Sequence, residues 1–204
     1  MNAFSLNIRD GLAPRMCAIL DHIGRDGRIR LNRGMGRAVQ NLCHRHLLGL
    51  AATRHGTANK LGAQPTQFLA GAAAAALQPE ALRADASGAT ITIVHPGIGR
   101  VGHDVDIRPT GGRQYLTIPI SAEAYGQTMM HGGDARFLRA FFFTSKNGNL
   151  LYGIKTGRTI HPLYALKTEV HLKQDRTLLP GDREIKQTAT STLQAGLREK
   201  QGGR

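Results

Sequence analysis

Residues 68–95 of the chain read FLAGAAAAALQPEALRADASGATITIVH, and the periodicity of the sequence changes within this stretch. Its first part, Phe68 to Leu77, is rich in alanine, the best helix former, and stops before Pro79, so it predicts a helix. Its last part, from Ala89 to Val94, alternates in the manner of a strand and contains β-branched residues. We therefore expect helices before this point and strands after it.

Two helical patterns precede this stretch. Leu12, Met16, Leu20 and Ile23 recur at helical spacing, and the pattern ends near Gly24. After the basic stretch RDGRIRLNRG, a second pattern predicts a longer helix across roughly residues 31–52. The polar segment ATRHGTANKLGAQPT, residues 52–66, then predicts an exposed loop.

Strand signals follow the alanine-rich helix. RQYLTIPI, which comes after the Gly111-Gly112 turn, predicts a second strand. The runs RFLRAFFFT and LLYGIKT flank Ser145 to Asn149, whose Asn-Gly pair favours a tight hairpin turn. The run from Pro162, LYALKTEVHLK, predicts a last strand, and Gly181 to Lys200 predicts a terminal helix.

The order of helices, strands and a final helix predicts an α+β fold. We expect N-terminal helices packed on a small, mostly antiparallel sheet, with a long hairpin arm and a C-terminal helix. The glycine-rich segment Gly97–Pro109 is the expected extended arm. The chain has 204 residues, a length that one domain accommodates, so we expect a single domain over residues 1–204.

The cysteines and the N-terminus bear on the compartment. Cys17 and Cys43 both lie in apolar helical patterns, which predicts two reduced, buried thiols. The N-terminus lacks the basic start and apolar core of a signal peptide, and no run reaches the ~18 apolar residues of a membrane span. We expect a protein made in the cytoplasm, with no membrane partner.

The formal net charge of +13 is the main electrostatic feature of the chain. Such an excess attracts polyanions and supports contact with phosphates that is independent of sequence. Arginines are concentrated in and after the stretch RDGRIRLNRG, at Arg25, Arg28, Arg30, Arg33 and Arg37. Arg28, Arg30, Arg33 and Arg37 are candidate charges for a DNA channel or for an interface, and the alternative is a solvated helix face.

No motif predicts catalysis or a cofactor. Gly97 to Gly102 matches GxGxxG, but Pro109 follows where a dinucleotide-binding motif needs a helix. His44 and His46, two apart on a helix, point about 200° from each other and so cannot share one ion. His103, Asp104 and Asp106 form a better cation cluster and leave a metal-dependent nuclease as an alternative. We expect no enzyme, no metal and no cofactor.

Several ordered segments resemble the virion morphogenesis, or tail completion, proteins of Mu-like and related long-tailed phages. The first segment is the stretch LGLAATRHGTANKLGA with Pro65-Thr66 just beyond it. The others are His95-Pro-Gly-Ile98, Gly111-Gly-Arg-Gln-Tyr-Leu-Thr-Ile-Pro119, Ala124-Tyr-Gly126 and the run Pro162 to Pro180. The arm departs from the family pattern, because it carries His103, Asp104 and Asp106 where a bulkier apolar or basic hairpin is expected.

The resemblance implies a structural subunit of the tail-completion or neck ring of a virion. Such proteins form rings, commonly of roughly six copies, around the channel through which DNA passes. The implied partners are copies of the same chain, tail-tube and neck proteins, and channel DNA. Candidate contacts between subunits are His55, Asn59, Lys60, Gly97, Gly99, Arg100 and Gly102. The alternative function is that of a stand-alone basic protein whose binding to DNA is independent of the base sequence.

Overall fold

The computed structural model describes residues 3–9, 14–127 and 140–202, and side chains within residues 23–127 and 140–199. Contacts divide the chain into two compact units. Unit 1 comprises Met1–Thr53, Gln67–His103 and Gln174–Arg204, and unit 2 comprises Arg54–Thr66 and Asp104–Lys173. The length of the chain suggested one domain and gave no indication of this division.

The described elements confirm the α+β class. In chain order they are β1 (Ala3–Arg9), α1 (Pro14–Thr53), α2 (Gly56–Leu61), α3 (Phe68–Ala76), β2 (Leu82–Ala84), β3 (Gly88–Val94), β4 (Val105–Ile107), β5 (Leu116–Pro119), β6 (Ala140–Thr144), β7 (Leu150–Thr156), β8 (Thr159–Lys167), β9 (Val170–Leu172) and α4 (Asp182–Gly202). Short 3₁₀ turns lie at Pro79–Ala81, Pro96–Val101 and Arg176–Leu178. The predictions of α3, β3, β5 and the terminal helix are confirmed.

The helix α1 is interrupted at Gly24, whose φ of 70° and ψ of 174° are not helical. The predicted end of the first helix is therefore confirmed. The expected gap between the helices is wrong, because the basic stretch at residues 25–34 is helical. Leu31 within it packs against Leu193 and Leu197 of α4, and this burial outweighs the low helix propensity of the glycines.

The core of unit 1 lies between α1 and a three-stranded antiparallel sheet of order β1-β3-β2. One face of α1 supplies Met35, Val39, Leu42 and Leu47, which pack with apolar residues of α3 and β3. At Gly36 an added Cβ would lie 2.5 Å from Leu82 Cδ1. This close approach brings the helix onto the sheet.

Unit 2 contains α2, a four-stranded antiparallel sheet of order β5-β8-β7-β6, and the separate pair β4-β9. The hairpin predicted around SKNGN is confirmed: Ser145 N–H donates to the Asn149 carbonyl at 2.9 Å, and Gly148 adopts a φ of 75°. The first residues of the run RFLRAFFFT lie outside the described residues.

Three expectations in this part of the sequence need correction. The segment 52–66 is not simply a loop, because α2 forms within it and anchors it through the fully buried Ala58. The segment Gly97–Pro109 does not form an extended arm. Its start belongs to the 3₁₀ turn Pro96–Val101, where Ile98 is fully buried, and its end contains β4, which pairs with β9.

The third correction concerns the last strand. The predicted run from Pro162 comprises two strands, since β8 starts at Thr159 and β9 follows at Val170. Pro162 lies at an irregularity in the pairing of β7 with β8. A proline is tolerated there because the regular ladder is locally broken.

Candidate functional site

The exposed face of α1 carries a row of arginines. Arg30, Arg33 and Arg37 are exposed and lie three and four residues apart, so they share one side of the helix. Arg45, which is also exposed, lies about 80° around the helix from Arg37, at the edge of the same side. We call these four residues the arginine row. Arg45 was not among the candidate charges expected from the sequence.

Because the opposite face of α1 is buried, the arginine row faces solvent. Val39 is fully buried and Met35 is 5% exposed, so the helix cannot rotate without bringing core residues into water. At 1.5 Å per residue, the row from Arg30 to Arg45 spans about 22 Å. This length of duplex DNA carries on the order of 13 phosphate charges.

The charge of the row is largely unopposed along its own helix. No acidic residue occurs between Gly27 and Thr53, and Asp26, one turn before Arg30, is exposed at the start of the row. Arginine presents a planar, permanently charged group that suits phosphates and carboxylates. The row is therefore a cationic surface, whose charge is complementary to that of a polyanion or an acidic protein.

Arg28, the remaining candidate charge, does not belong to the row. It is half-buried, and at 100° per residue it lies on a different side of α1 from Arg33. Arg25 is exposed directly after the break at Gly24. Of the four arginines expected to act together, the structure therefore brings Arg30, Arg33 and Arg37 together and separates Arg28.

The candidate contact residues of the segment 52–66 lie on or next to α2. Asn59 and Lys60 are exposed, whereas His55 is half-buried at the N-terminal end of the helix. The His55 carbonyl accepts a hydrogen bond from Asn59 N–H at 2.8 Å. Gly62 ends the helix with a φ of 65°, a conformation that favours glycine. Asn59 and Lys60 are thus accessible at the surface of unit 2.

The candidates in the 3₁₀ turn Pro96–Val101 are mostly used inside unit 1. His95 Nδ1 accepts a hydrogen bond from Gly97 N–H at 3.1 Å, and a Cβ on Gly97 would lie 2.5 Å from the Phe68 ring. Burial lowers the pKa of His95, in keeping with a neutral ring that accepts this bond. Because Gly97 is enclosed in this way, it is not a free contact residue.

Arg100 is also held within unit 1. Its guanidinium lies 3.3 Å from the Asp175 carboxylate, and its carbonyl accepts a hydrogen bond from Asp175 N–H at 2.8 Å. Gly99 is half-buried, and only Gly102 among the four candidates of this segment is exposed. No α-helix opens after Gly102, so the GxGxxG sequence does not present a helix N-terminus to a phosphate.

An exposed histidine lies between the two aspartates of the expected cation cluster. His171 Nδ1 is 2.6 Å from Asp106 Oδ1, and His171 Nε2 is 3.2 Å from Asp104 Oδ2. The hydrogen bond to Asp106, supported by the charges of both aspartates, raises the pKa of His171. His171 takes the place expected for His103, because the β4-β9 register sets Asp106 opposite it.

This arrangement is a poor metal site. The two carboxylates lie at opposite nitrogens of one imidazole ring, so they do not converge on an ion that the same ring could bind. Within the described residues, no group of three histidine, cysteine or carboxylate side chains could hold a metal ion. The cluster instead joins β4 to β9 through a charge-assisted bridge.

The remaining candidates of the sequence analysis lie apart from one another. His44 Nδ1 lies 2.9 Å from the Ala73 carbonyl, whereas His46 Nε2 lies 2.9 Å from the Thr177 carbonyl, which confirms that they diverge. Cys43 is a free, buried thiol, and desolvation raises its pKa to about 11. The prediction of a buried thiol is confirmed for Cys43, while the side chain of Cys17 lies outside the described residues.

Comparison with known proteins does not identify a relative. No protein-family model, curated protein or solved structure matches the chain. Among the described helices, none combines the length and the apolar character that crossing a membrane requires.

Proposed function

We propose that the chain is a non-enzymatic structural subunit of the tail-completion or neck ring of a tailed bacteriophage. In this proposal it is made in the host cytoplasm and ends in the virion, where it acts through protein contacts around the DNA channel. The phage assignment rests on the resemblance of the ordered segments described above. The arginine row is the one structural observation that carries the contact with DNA.

The arginine row supports this role because a ring of several copies would contain several such rows. One copy offers four arginines over about 22 Å, which is a weak contact at physiological salt. A ring would place one row from each copy around the same duplex, so their contributions would add as in other multivalent binders. Contacts to phosphates carry no base specificity, which a channel for genomic DNA requires.

The same row equally favours a second function, that of a stand-alone protein that binds DNA of any base sequence. The two proposals differ in what one copy does. A stand-alone binder should hold duplex DNA as a monomer or dimer, and its affinity should fall steeply as salt rises from about 50 to 200 mM. A ring subunit should bind weakly until it assembles.

The experiment is therefore a salt titration of DNA binding at protein concentrations below and above assembly. Fluorescence anisotropy of a labelled duplex gives the affinity, and light scattering on the same samples gives the protein mass. Binding that appears only together with assembly supports the ring. Tight binding by a species with the mass of one or two chains would favour the stand-alone protein.

A further inference from the structure

Unit 2 contains an apolar groove of about 1030 Å³. Its floor is one face of the four-stranded sheet, and its wall is the loop between β4 and β5. The lining includes Phe142, Leu150 and Leu166 on the sheet side and Ile107 and Tyr115 on the loop side. We call this the sheet groove.

The pairing register explains why the floor is apolar. Phe142 pairs with Tyr152, and Tyr152 pairs with Tyr164, so these aromatic residues share one face of the sheet. Leu150 and Leu166 lie two residues from Tyr152 and Tyr164 and therefore point to the same face. Three adjacent strands thus contribute apolar side chains to one surface.

Two features of the loop between β4 and β5 shape the wall of the groove. Gly111 and Gly112 adopt φ values of 65° and 75°, which turn the chain back toward β5. Arg108 Nε donates to Glu169 Oε1 at 2.9 Å at the other end of the loop. These two features give the loop the course that forms the wall of the groove.

The groove leaves large apolar side chains in water. Phe142 is 58% exposed and Ile107 is 39% exposed, although the Phe142 ring packs against Tyr152 at a centroid distance of 5.0 Å. Exposed apolar surface gathered in a concave site with a polar rim is typical of an interaction surface.

The charge of the groove lining indicates what kind of partner the sheet groove binds. Arg108 and Arg113 line the groove, and within the described residues no acidic side chain does. Glu169 already neutralises Arg108, whereas Arg113 is exposed and forms no ion pair with the described residues. The rim therefore carries a positive charge that no lining residue offsets, so an acidic partner is complementary to it.

We propose that the sheet groove binds an acidic peptide segment of a partner protein. Apolar side chains of the segment lie against Phe142, Leu150 and Leu166, and a flanking carboxylate pairs with Arg113. This inference does not depend on the phage role, because it concerns a surface that the arginine row does not use.

Anisotropy of labelled peptides tests the inference on the full chain. The probes are three peptides of about 12 residues built from Leu, Phe and Glu, with the apolar residues at every second, third or fourth position. The matched controls replace each Glu with Lys. We expect at least one Glu peptide to bind in a saturable manner and its Lys counterpart to bind at least about tenfold more weakly.

Two variants locate the binding site. Phe142→Ala and Arg113→Glu should each weaken the binding by about tenfold or more, because each removes a central contact. Ile160→Ala and Lys155→Glu change exposed residues of unit 2 outside the groove lining and should leave binding unchanged. Circular dichroism confirms that each variant is folded.

Several results would overturn the inference. These are no binding of any Glu peptide, equal binding of the Glu and Lys peptides, or unchanged affinity in both groove variants. Self-association of the chain that Phe142→Ala abolishes would assign the groove to a second copy instead and would equally refute an acidic partner.

Discussion

Gly153 occupies a position in β7 that no side chain fits. An added Cβ would overlap the His161 carbonyl oxygen and lie 3.0 Å from Pro162 Cα, and neither backbone atom can rotate away. We expect Gly153→Ala to lower the free energy of unfolding by about 1–3 kcal/mol, the range typical of overpacking. Urea unfolding followed by circular dichroism measures the change. Gly56→Ala, which meets nothing within 4 Å, is the control and should cost less; equal losses would contradict this explanation.

His171 should make the β4-β9 pairing sensitive to pH. Its pKa in the folded protein is raised above its ordinary value near 6.5. The stabilisation of the folded protein by the charged His171 ring is therefore fully present below about pH 6.5. It is lost as the pH rises through the raised pKa. NMR titration of the imidazole gives the pKa, and exchange of the β4 and β9 amides reports the pairing.

The control for this titration is Asp106→Asn, which removes the largest cause of the shift. The pKa of His171 should then move down toward its ordinary value. A pKa of His171 at or below about 6.5 in the unaltered chain would show that the carboxylates do not hold the charged ring.

At the scale of the element, the arginine row should account for the salt dependence of DNA binding. Changing Arg30, Arg33 and Arg37 to Gln removes three charges from one helix face. We expect the magnitude of the log-log salt slope to fall by about 0.9 for each arginine that touches a phosphate. Anisotropy of a labelled duplex at several salt concentrations measures the slope.

A matched variant separates this effect from the loss of net charge. Lys146, Lys155 and Arg158 are exposed in unit 2, and changing them to Gln removes the same number of charges. The slope should change little. If both triple variants lower the slope equally, general charge and not the arginine row binds the duplex.

Elements with strong local signals were predictable, and those that depend on distant partners were not. The alanine-rich α3 and the Asn-Gly hairpin needed only neighbouring residues. The strand β1 was missed although Phe4, Leu6 and Ile8 alternate with polar residues. Its partner is β3, about 80 to 90 residues away along the chain, and residue order alone does not indicate such a pairing.

The same distinction applies to the candidate site. Arg30, Arg33 and Arg37 share a face because of helical periodicity, which the sequence displays directly. His171 meets Asp106 through strand register, and this could not be read from the sequence. Likewise, Arg100 was expected at an interface, and its ion pair with Asp175 of a distant segment could not be read from the sequence.

At the scale of the whole molecule, the proposed function lies in assembly. The arginine row belongs to unit 1, whereas the sheet groove belongs to unit 2, so the surfaces proposed for a polyanion and for a protein lie in different units. A subunit that joins copies, tail proteins and DNA needs more than one such surface. A stand-alone DNA binder needs only the first.

The mass of the purified protein in solution, alone and after mixing with isolated phage tails, tests the central claim most directly. Native mass spectrometry and light scattering both measure it. The ring proposal predicts a closed assembly of roughly six copies of the 22.0 kDa chain, formed alone or on the tails. A strict monomer that never joins tails, at any concentration tested, would contradict it.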